Sequence, residues 1–330
     1  MIYPWQKKQW DKIVACYQKG RMPHALLLAG GRGLGKLTFA KSLAELILCE
    51  RNLTQACQVC RGCQLLRVGN HPDFFEVSVE EKNKAIKVAQ IRDLIAALNQ
   101  TSQRGHYQVV ILFPAEVMNR AAANAFLKTL EEPSGQVLLI LVTHQPGVLP
   151  KTIVSRCQRV FFKAYSDLMT VQWVEMQVKG DKNKARQLLA LTNHAPLQAI
   201  KLESLNYSSL RDFLLKSLIN TVMQRESAVS VVSILLKEDL LKEDIKLILH
   251  ITITFLMDVL RLQLNCYYFV LNTDYMSFLQ ELSLILSQEK LLEVLQQLQE
   301  TWRVVTGSEA VNSQLLLEEI FLMLEMHSVS

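Results

Sequence analysis

No apolar run in this 330-residue chain is long enough to cross a membrane, which takes about 20 residues of helix. The most apolar stretch, IKLILHITITFLMDVL at 245–260, is shorter and contains Lys246, His250 and Asp258. It reads as a buried helix. The opening residues, MIYPWQKKQW, lack the apolar centre of a signal peptide, so a cytoplasmic location without membrane contact is expected. Strong charge is missing too. Lys and Arg number 36 against 31 Asp and Glu, a formal net charge of +5, whereas a dedicated nucleic-acid domain is usually far more basic. Contact with nucleic acid is allowed but not demanded. There is no even set of cysteines. The seven, Cys16, Cys49, Cys57, Cys60, Cys63, Cys157 and Cys266, include a tight group of four, which suits a reducing compartment and a metal site better than a disulfide framework. Internal repeats, low-complexity tracts and a carboxylate cluster fit for polymerisation or exonuclease chemistry are also absent.

What is present is core: half the residues are hydrophobic. In the first half, short apolar runs alternate with helical patterns. LLLAG (26–30), FFEVSV (74–79), VVILF (109–113), VLLILVT (137–143) and RVFF (159–162) read as strands. Their near-continuous apolarity marks strands covered on both faces, hence a parallel α/β sheet. Asn119 is placed to cap a helix through RAAANAFLKTLEE, with Ala122, Phe126, Leu127 and Leu130 on one face and Pro133 as the stop. After about Ala164 the strands cease. Helices are expected over 167–179, 182–192 and from Pro196, then over 210–224, 242–264, 278–286, 290–304 and 308–326. The expected order is an α/β core at 1–163, a small helical domain at 164–206 and a helical bundle at 207–330.

Gly30-Gly31-Arg32-Gly33-Leu34-Gly35-Lys36 follows a strand and opens a helix. It fits the P-loop, in which glycines let backbone N–H groups wrap a phosphate and the lysine adds charge at a helix N-terminus. Gly30, Gly33, Gly35 and Lys36 are thus candidate ATP or ADP contacts. The next position, where a hydroxyl should hold Mg²⁺, is Leu37. Thr38 lies one residue on, about 100° around the helix. A working P-loop ATPase also ends a later strand in acid; here Phe113 and Pro114 occupy those places, and Glu116 lies past the strand. Either nucleotide binds without a well-held metal or the loop is a structural relic. Negligible hydrolysis by this chain alone is expected.

Cys49, Cys57, Cys60 and Cys63 are spaced C-x7-C-x2-C-x2-C. Four thiolates complete a tetrahedral structural Zn²⁺ site without an open position; a redox pair and plain reduced thiols are the alternatives. Lys82, Lys84, Lys87 and Arg92 could touch DNA phosphates or form a solvated helix face. His24 is either a base-stacking or a turn residue.

Several segments resemble one family. NRAAANAFLKTLEEPSGQVLLILVT (119–143), LPKTIVSRCQRVFF (149–162), MPHALLL (22–28) and NHPD (70–73) are similar in order to the AAA+ subunits of bacterial clamp loaders, gamma/tau and delta-prime. VNSQLLL (311–317) resembles their last collar helix. The resemblance implies an AAA+ core, a helical lid and a collar that holds a ring. It implies that Arg156, in the Ser155-Arg156-Cys157 motif, is an arginine finger reaching a neighbour's ATP, with Ser155 supporting it and Cys157 packed. It implies zinc at the four cysteines, and it places Thr143 at the polar sensor position and Gln198 where a phosphate-sensing arginine is usual. Gamma/tau and delta subunits, the sliding clamp and primer-template DNA are the implied partners. Damage at Leu37, Phe113 and Pro114 favours the delta-prime branch, a subunit of the polymerase holoenzyme without ATPase or polymerase activity of its own. The alternative is a hydrolysing gamma/tau-like subunit.

Overall fold

The computed structural model describes residues 2–51, 54–79, 85–100, 102, 107–164, 167–178, 180–204, 207–237, 245–306 and 313–327. They form two compact units, Met1–Ile200 and Lys201–Ser330.

In the first unit, α1 (Lys7–Gln18) precedes β1 (Ala25–Ala29), α2 (Lys36–Ile47) and α3 (Arg61–Arg67). Then come β2 (Phe74–Ser78), α4 (Val88–Leu98), β3 (Gln108–Phe113), α5 (Arg120–Glu131), β4 (Val137–Thr143), α6 (Lys151–Val154) and β5 (Gln158–Phe161). The five strands make one parallel sheet in the order β2-β3-β4-β1-β5. β1 and β4 are buried at every position, which explains their unbroken apolar runs: helices cover both faces. Alternate residues serve the two faces. Leu27, Leu112 and Leu139 join one core with Phe126, whereas Leu26, Leu28 and Ile140 join the other with Phe39. This is the α/β P-loop class expected from the sequence.

α5 begins where Asn119 Oδ1 accepts a hydrogen bond from Ala122 N at 2.8 Å, satisfying an otherwise orphaned donor. Glu132, just before Pro133, has left the helical region at φ −134°, ψ 82°. Ala122, Phe126 and Leu130 are fully buried; Leu127 is half-buried. Helices α7 (Leu168–Gln177) and α8 (Lys182–Leu191) are capped by the carboxylates of Asp167 and Asp181. α9 (Pro196–Ser204) starts on its proline.

The second unit is helical: α10 (Tyr207–Val222), α11 (Ala228–Lys237), α12 (Ile245–Gln263), α13 (Met276–Ile285), α14 (Gln288–Thr306) and α15 (Ser313–His327). α12 packs against α10, α13 and α14, and α11 against α15. No described helix is long and apolar enough to cross a membrane. Asp258, fully buried on α12, accepts hydrogen bonds from Leu271 N, Asn272 N, Asn272 Nδ2 and Arg261 Nη1 at 2.6–3.1 Å. Buried Arg211 donates in turn to Asn272 Oδ1 and to both oxygens of Asp274, and its guanidinium lies 5.1 Å from the Tyr275 ring centroid. These charges fix the α12–α13 connection.

Candidate functional site

β1 delivers the phosphate loop to the first turn of α2. Gly33 and Gly35 both have φ +74°, in the left-handed region that favours glycine. Space demands glycine as well. A Cβ on Gly33 would lie 2.4 Å from Gln198 Cγ, and one on Gly35 would lie 2.5 Å from the Tyr3 ring. Gly33 and Gly35 are therefore closed in by their own chain, while Gly31 and Arg32 stay exposed. Trp5 Nε1 donates to Leu34 O at 3.1 Å, and Gln6 Nε2 donates to Leu34 O and Gly35 O at 2.8 and 2.9 Å. Tyr3 stacks on Trp5 at 4.8 Å, and Trp173 of α7 meets both rings edge-on. Leu197 N, at the start of α9, donates to Gly33 O at 3.1 Å.

Lys36 is buried, and its ammonium turns back on the loop. Nζ donates to Gly30 O at 2.7 Å, Gly31 O at 2.6 Å and His144 Nδ1 at 2.9 Å. Burial pushes its pKa down to about 8; Glu116 opposes that and Arg32 adds to it. Burial together with Lys36 and Arg32 lowers His144 to about 4. It is therefore neutral at pH 7 and free to accept from Lys36. Glu116 Oε1 accepts from His144 N at 3.1 Å, while Oε2 is buried and makes no hydrogen bond among the described residues. The residue left over past the strand in the sequence thus comes back to the loop. The end of β3 still presents Phe113, packed edge-on against His144. Leu37 packs against the core, and Thr38 is half-buried on α2. Thr143 is buried and its hydroxyl accepts from Gln145 N at 3.1 Å, the geometry of a strand cap. His24 lies at the end of α5, with Nε2 2.9 Å from Leu130 O.

Arg156 sits between α6 and β5, a third exposed. Nε donates to Glu131 Oε1 at 2.7 Å, Nη2 pairs with the same oxygen, and Nη1 donates to Thr152 O at 2.8 Å. Ser155 Oγ also donates to Thr152 O and lies 3.5 Å from Nη1. No hydrogen bond or ion pair joins Arg156 to the phosphate loop among the described residues. Cys157 is buried, and burial raises its thiol to about 11; it is packing, not a nucleophile.

The Sγ atoms of Cys49, Cys57, Cys60 and Cys63 all lie within 4.8 Å of one another, with Cys57 and Cys63 at 4.0 Å. A tetrahedron with Zn–S of about 2.3 Å has edges of about 3.8 Å, so the four fit a metal after a small contraction. The backbone prepares the thiolates. Cys57 N donates to Cys49 Sγ, Cys60 N to Cys57 Sγ, and Cys63 N to Cys60 Sγ, at 3.3–3.4 Å. N–H groups of Val59 and Cys60 pull the Cys57 thiol down to about 6; burial pushes Cys63 up. A Cβ on Gly62 would lie 2.6 Å from Leu48 O, so glycine lets α3 close against the end of α2. Among the described residues this is the one group of three or more side chains placed to hold a metal ion.

The family described as DNA polymerase III, delta subunit, matches residues 5–166, and its C-terminal counterpart matches 206–326. DNA polymerase III subunit delta-prime of Escherichia coli is 31% identical over 329 residues, 98% of this chain and 95% of that one. The chain belongs to the delta-prime family of DNA polymerase III. The delta-prime subunit of Pseudomonas aeruginosa is 42% identical over 203 residues, 61% of each chain. A solved gamma-subunit-related protein of Thermotoga maritima is 18% identical, with a TM-score of 0.43 over 97% of this chain and 99% of that one.

In this delta-prime chain the loop, Arg156 and the four cysteines stand out as sequence motifs, whereas Tyr3, Trp5, Gln6, Trp173 and His144, which gather at the loop, do not. Nothing in MIYPWQ ties Tyr3, Trp5 or Gln6 to a loop that begins at Gly30. His144 follows Thr143 directly at a strand end. Lys82 and Lys84 lie outside the described residues; Lys87 and Arg92 are exposed.

Proposed function

We propose that this chain is a non-hydrolysing subunit of a bacterial clamp loader that activates a neighbouring ATPase in trans. One observation carries the reading. The phosphate loop is engaged with its own chain: Lys36 is held by Gly30 O, Gly31 O and His144, and Phe113 stands where a metal-holding acid is needed. A nucleotide held by Gly30, Gly33, Gly35, Lys36, Thr38 or Thr143 is then not hydrolysed in this subunit.

Arg156 is the residue that acts. Its planar, permanently charged fork suits a γ-phosphate, and it stands partly exposed with Ser155 beside it. To reach a neighbour's phosphate it exchanges Glu131 for that ligand. The core at 1–163, a lid at 164–206 and a collar at 207–330 then place it in a ring with gamma/tau and delta subunits, which opens the sliding clamp for primer-template DNA. Cys49, Cys57, Cys60 and Cys63 hold a structural Zn²⁺; with four protein ligands the ion supplies rigidity and no open coordination position.

The test is ATP turnover by the purified chain, and by gamma/tau plus delta with and without it. The reading expects none from the chain alone and clamp-dependent turnover that rises on its addition. Steady turnover by the isolated chain would make it a gamma/tau-like ATPase instead.

A further inference from the structure

β5 ends the sheet, and its outer edge pairs with no strand among the described residues. Phe162 N donates inward to Ala29 O at 2.8 Å. Alternation along the strand then turns the main-chain groups of Arg159 and Phe161 outward. The Phe161 carbonyl does point out, accepting from Gln9 Nε2 of α1 at 3.1 Å. Between α1 and this edge runs a groove of about 310 Å³. Its apolar lining includes Ile13, Leu26, Val160 and Phe161, and its cations are Lys8, Lys12, Arg159 and Lys163. Among the described residues no carboxylate lines it, although the whole chain has nearly balanced charge. Phe161 is 51% exposed, with the Arg159 guanidinium 5.9 Å from its ring centroid.

We propose that this groove docks an extended acidic peptide segment, which adds as a strand beside β5 and seats an apolar side chain on Phe161. An open strand edge offers main-chain hydrogen bonds, and the pockets beside it select alternate side chains. Edge strands without such a partner are usually blunted by short length or charge. Here the four cations do blunt self-association, but they also create a field that an acidic segment neutralises. A nucleic-acid strand fits less well. Single-strand sites stack successive bases on several aromatic rings, and the described lining of this groove has one. Neither Arg156 nor any residue of the phosphate loop lines the groove, so the proposal does not rest on the trans-activation reading.

The experiment uses the full chain. A phage-displayed library of random 12-residue peptides is selected on wild-type protein. The enriched peptides are then synthesised with a fluorescent label and measured by anisotropy. The proposal expects sequences that alternate Asp or Glu with apolar residues. Lys12→Glu combined with Arg159→Glu should weaken them at least tenfold, and Phe161→Ala several-fold, with thermal midpoints near wild type. N-methylating alternate peptide nitrogens in one register should abolish binding, and in the other leave it within about threefold. Gln9→Ala, which releases the Phe161 carbonyl, serves as a variant without charge change and should tighten binding. Enrichment without acidic character, affinity unmoved by the charge reversals, or equal tolerance of both methylation registers would overturn it. So would a labelled dT20 strand that binds more tightly than the best peptide and displaces it.

Discussion

Replacing Lys36 with methionine should remove a pH-dependent penalty without collapsing the fold, although the residue is the signature lysine of its phosphate loop. The side chain is 2% exposed, and burial brings its pKa from 10.5 to about 8. A group that titrates that far below its unfolded value carries a charged-state penalty of roughly 3 kcal/mol at neutral pH. Methionine fills much of the same volume without the charge, but it gives up the bonds to Gly30 O, Gly31 O and His144 Nδ1, worth about 1 kcal/mol each. At neutral pH the two effects roughly cancel, so the midpoint there should stay within roughly 2–4 °C of wild type for a unit this size. The pH dependence fixes the sign. Between pH 8 and 10.5 the unfolded chain holds a proton at Lys36 that the folded chain has released, so wild-type stability rises with pH there. Relative to wild type, Lys36→Met is therefore at its most stable below pH 8 and loses roughly 3 kcal/mol towards pH 10.5. Thermal denaturation of both proteins across pH 7–10.5 checks this. A stability difference that does not move against the variant between pH 8 and 10.5 would refute the electrostatic argument. A collapse of ring turnover with Lys36→Met would show instead that the loop is used by nucleotide.

Two further outcomes follow from buried chemistry. Asp258→Ala leaves Leu271 N, Asn272 N and Arg261 without their common acceptor and should cost about 3–5 kcal/mol; denaturant unfolding of the second unit measures it. Cys60→Ser, or a strong chelator, should release about one equivalent of zinc by metal analysis and expose residues 49–67 to proteolysis while the sheet stays folded; a protein that never contained zinc would remove the metal assignment.

The strands were legible because both faces of β1 and β4 are buried, so no polar alternation interrupts their apolar runs. The α5 boundaries were equally plain, since Asn119 and Pro133 act through local geometry alone. α11 escaped the reading because AVSVVSILLK is rich in β-branched residues, which suit strands. α1 escaped because only Ile13 and Val14 of its twelve residues are buried. At the site, the P-loop and the cysteine spacing are contiguous signals and were visible. The cover over the loop was not, because Tyr3, Gln6, Trp173 and Gln198 come together only in the fold. Glu116 shows the same limit. Its position past β3 says nothing of the turn that brings its carboxylate to His144 and the field of Lys36. The ion pair of Arg156 with Glu131 joins residues 25 apart across two helices, and nothing in the spacing announces it.

The most direct test is a ring reconstituted from gamma/tau and delta subunits with wild-type chain, Arg156→Ala or Arg156→Lys, its assembly verified by size exclusion. Clamp- and primed-DNA-stimulated ATP turnover is then measured. The account predicts a fall of at least about tenfold with alanine, and little rescue by lysine, which keeps the charge but loses the fork. Turnover equal to wild type in an intact ring carrying Arg156→Ala would contradict it.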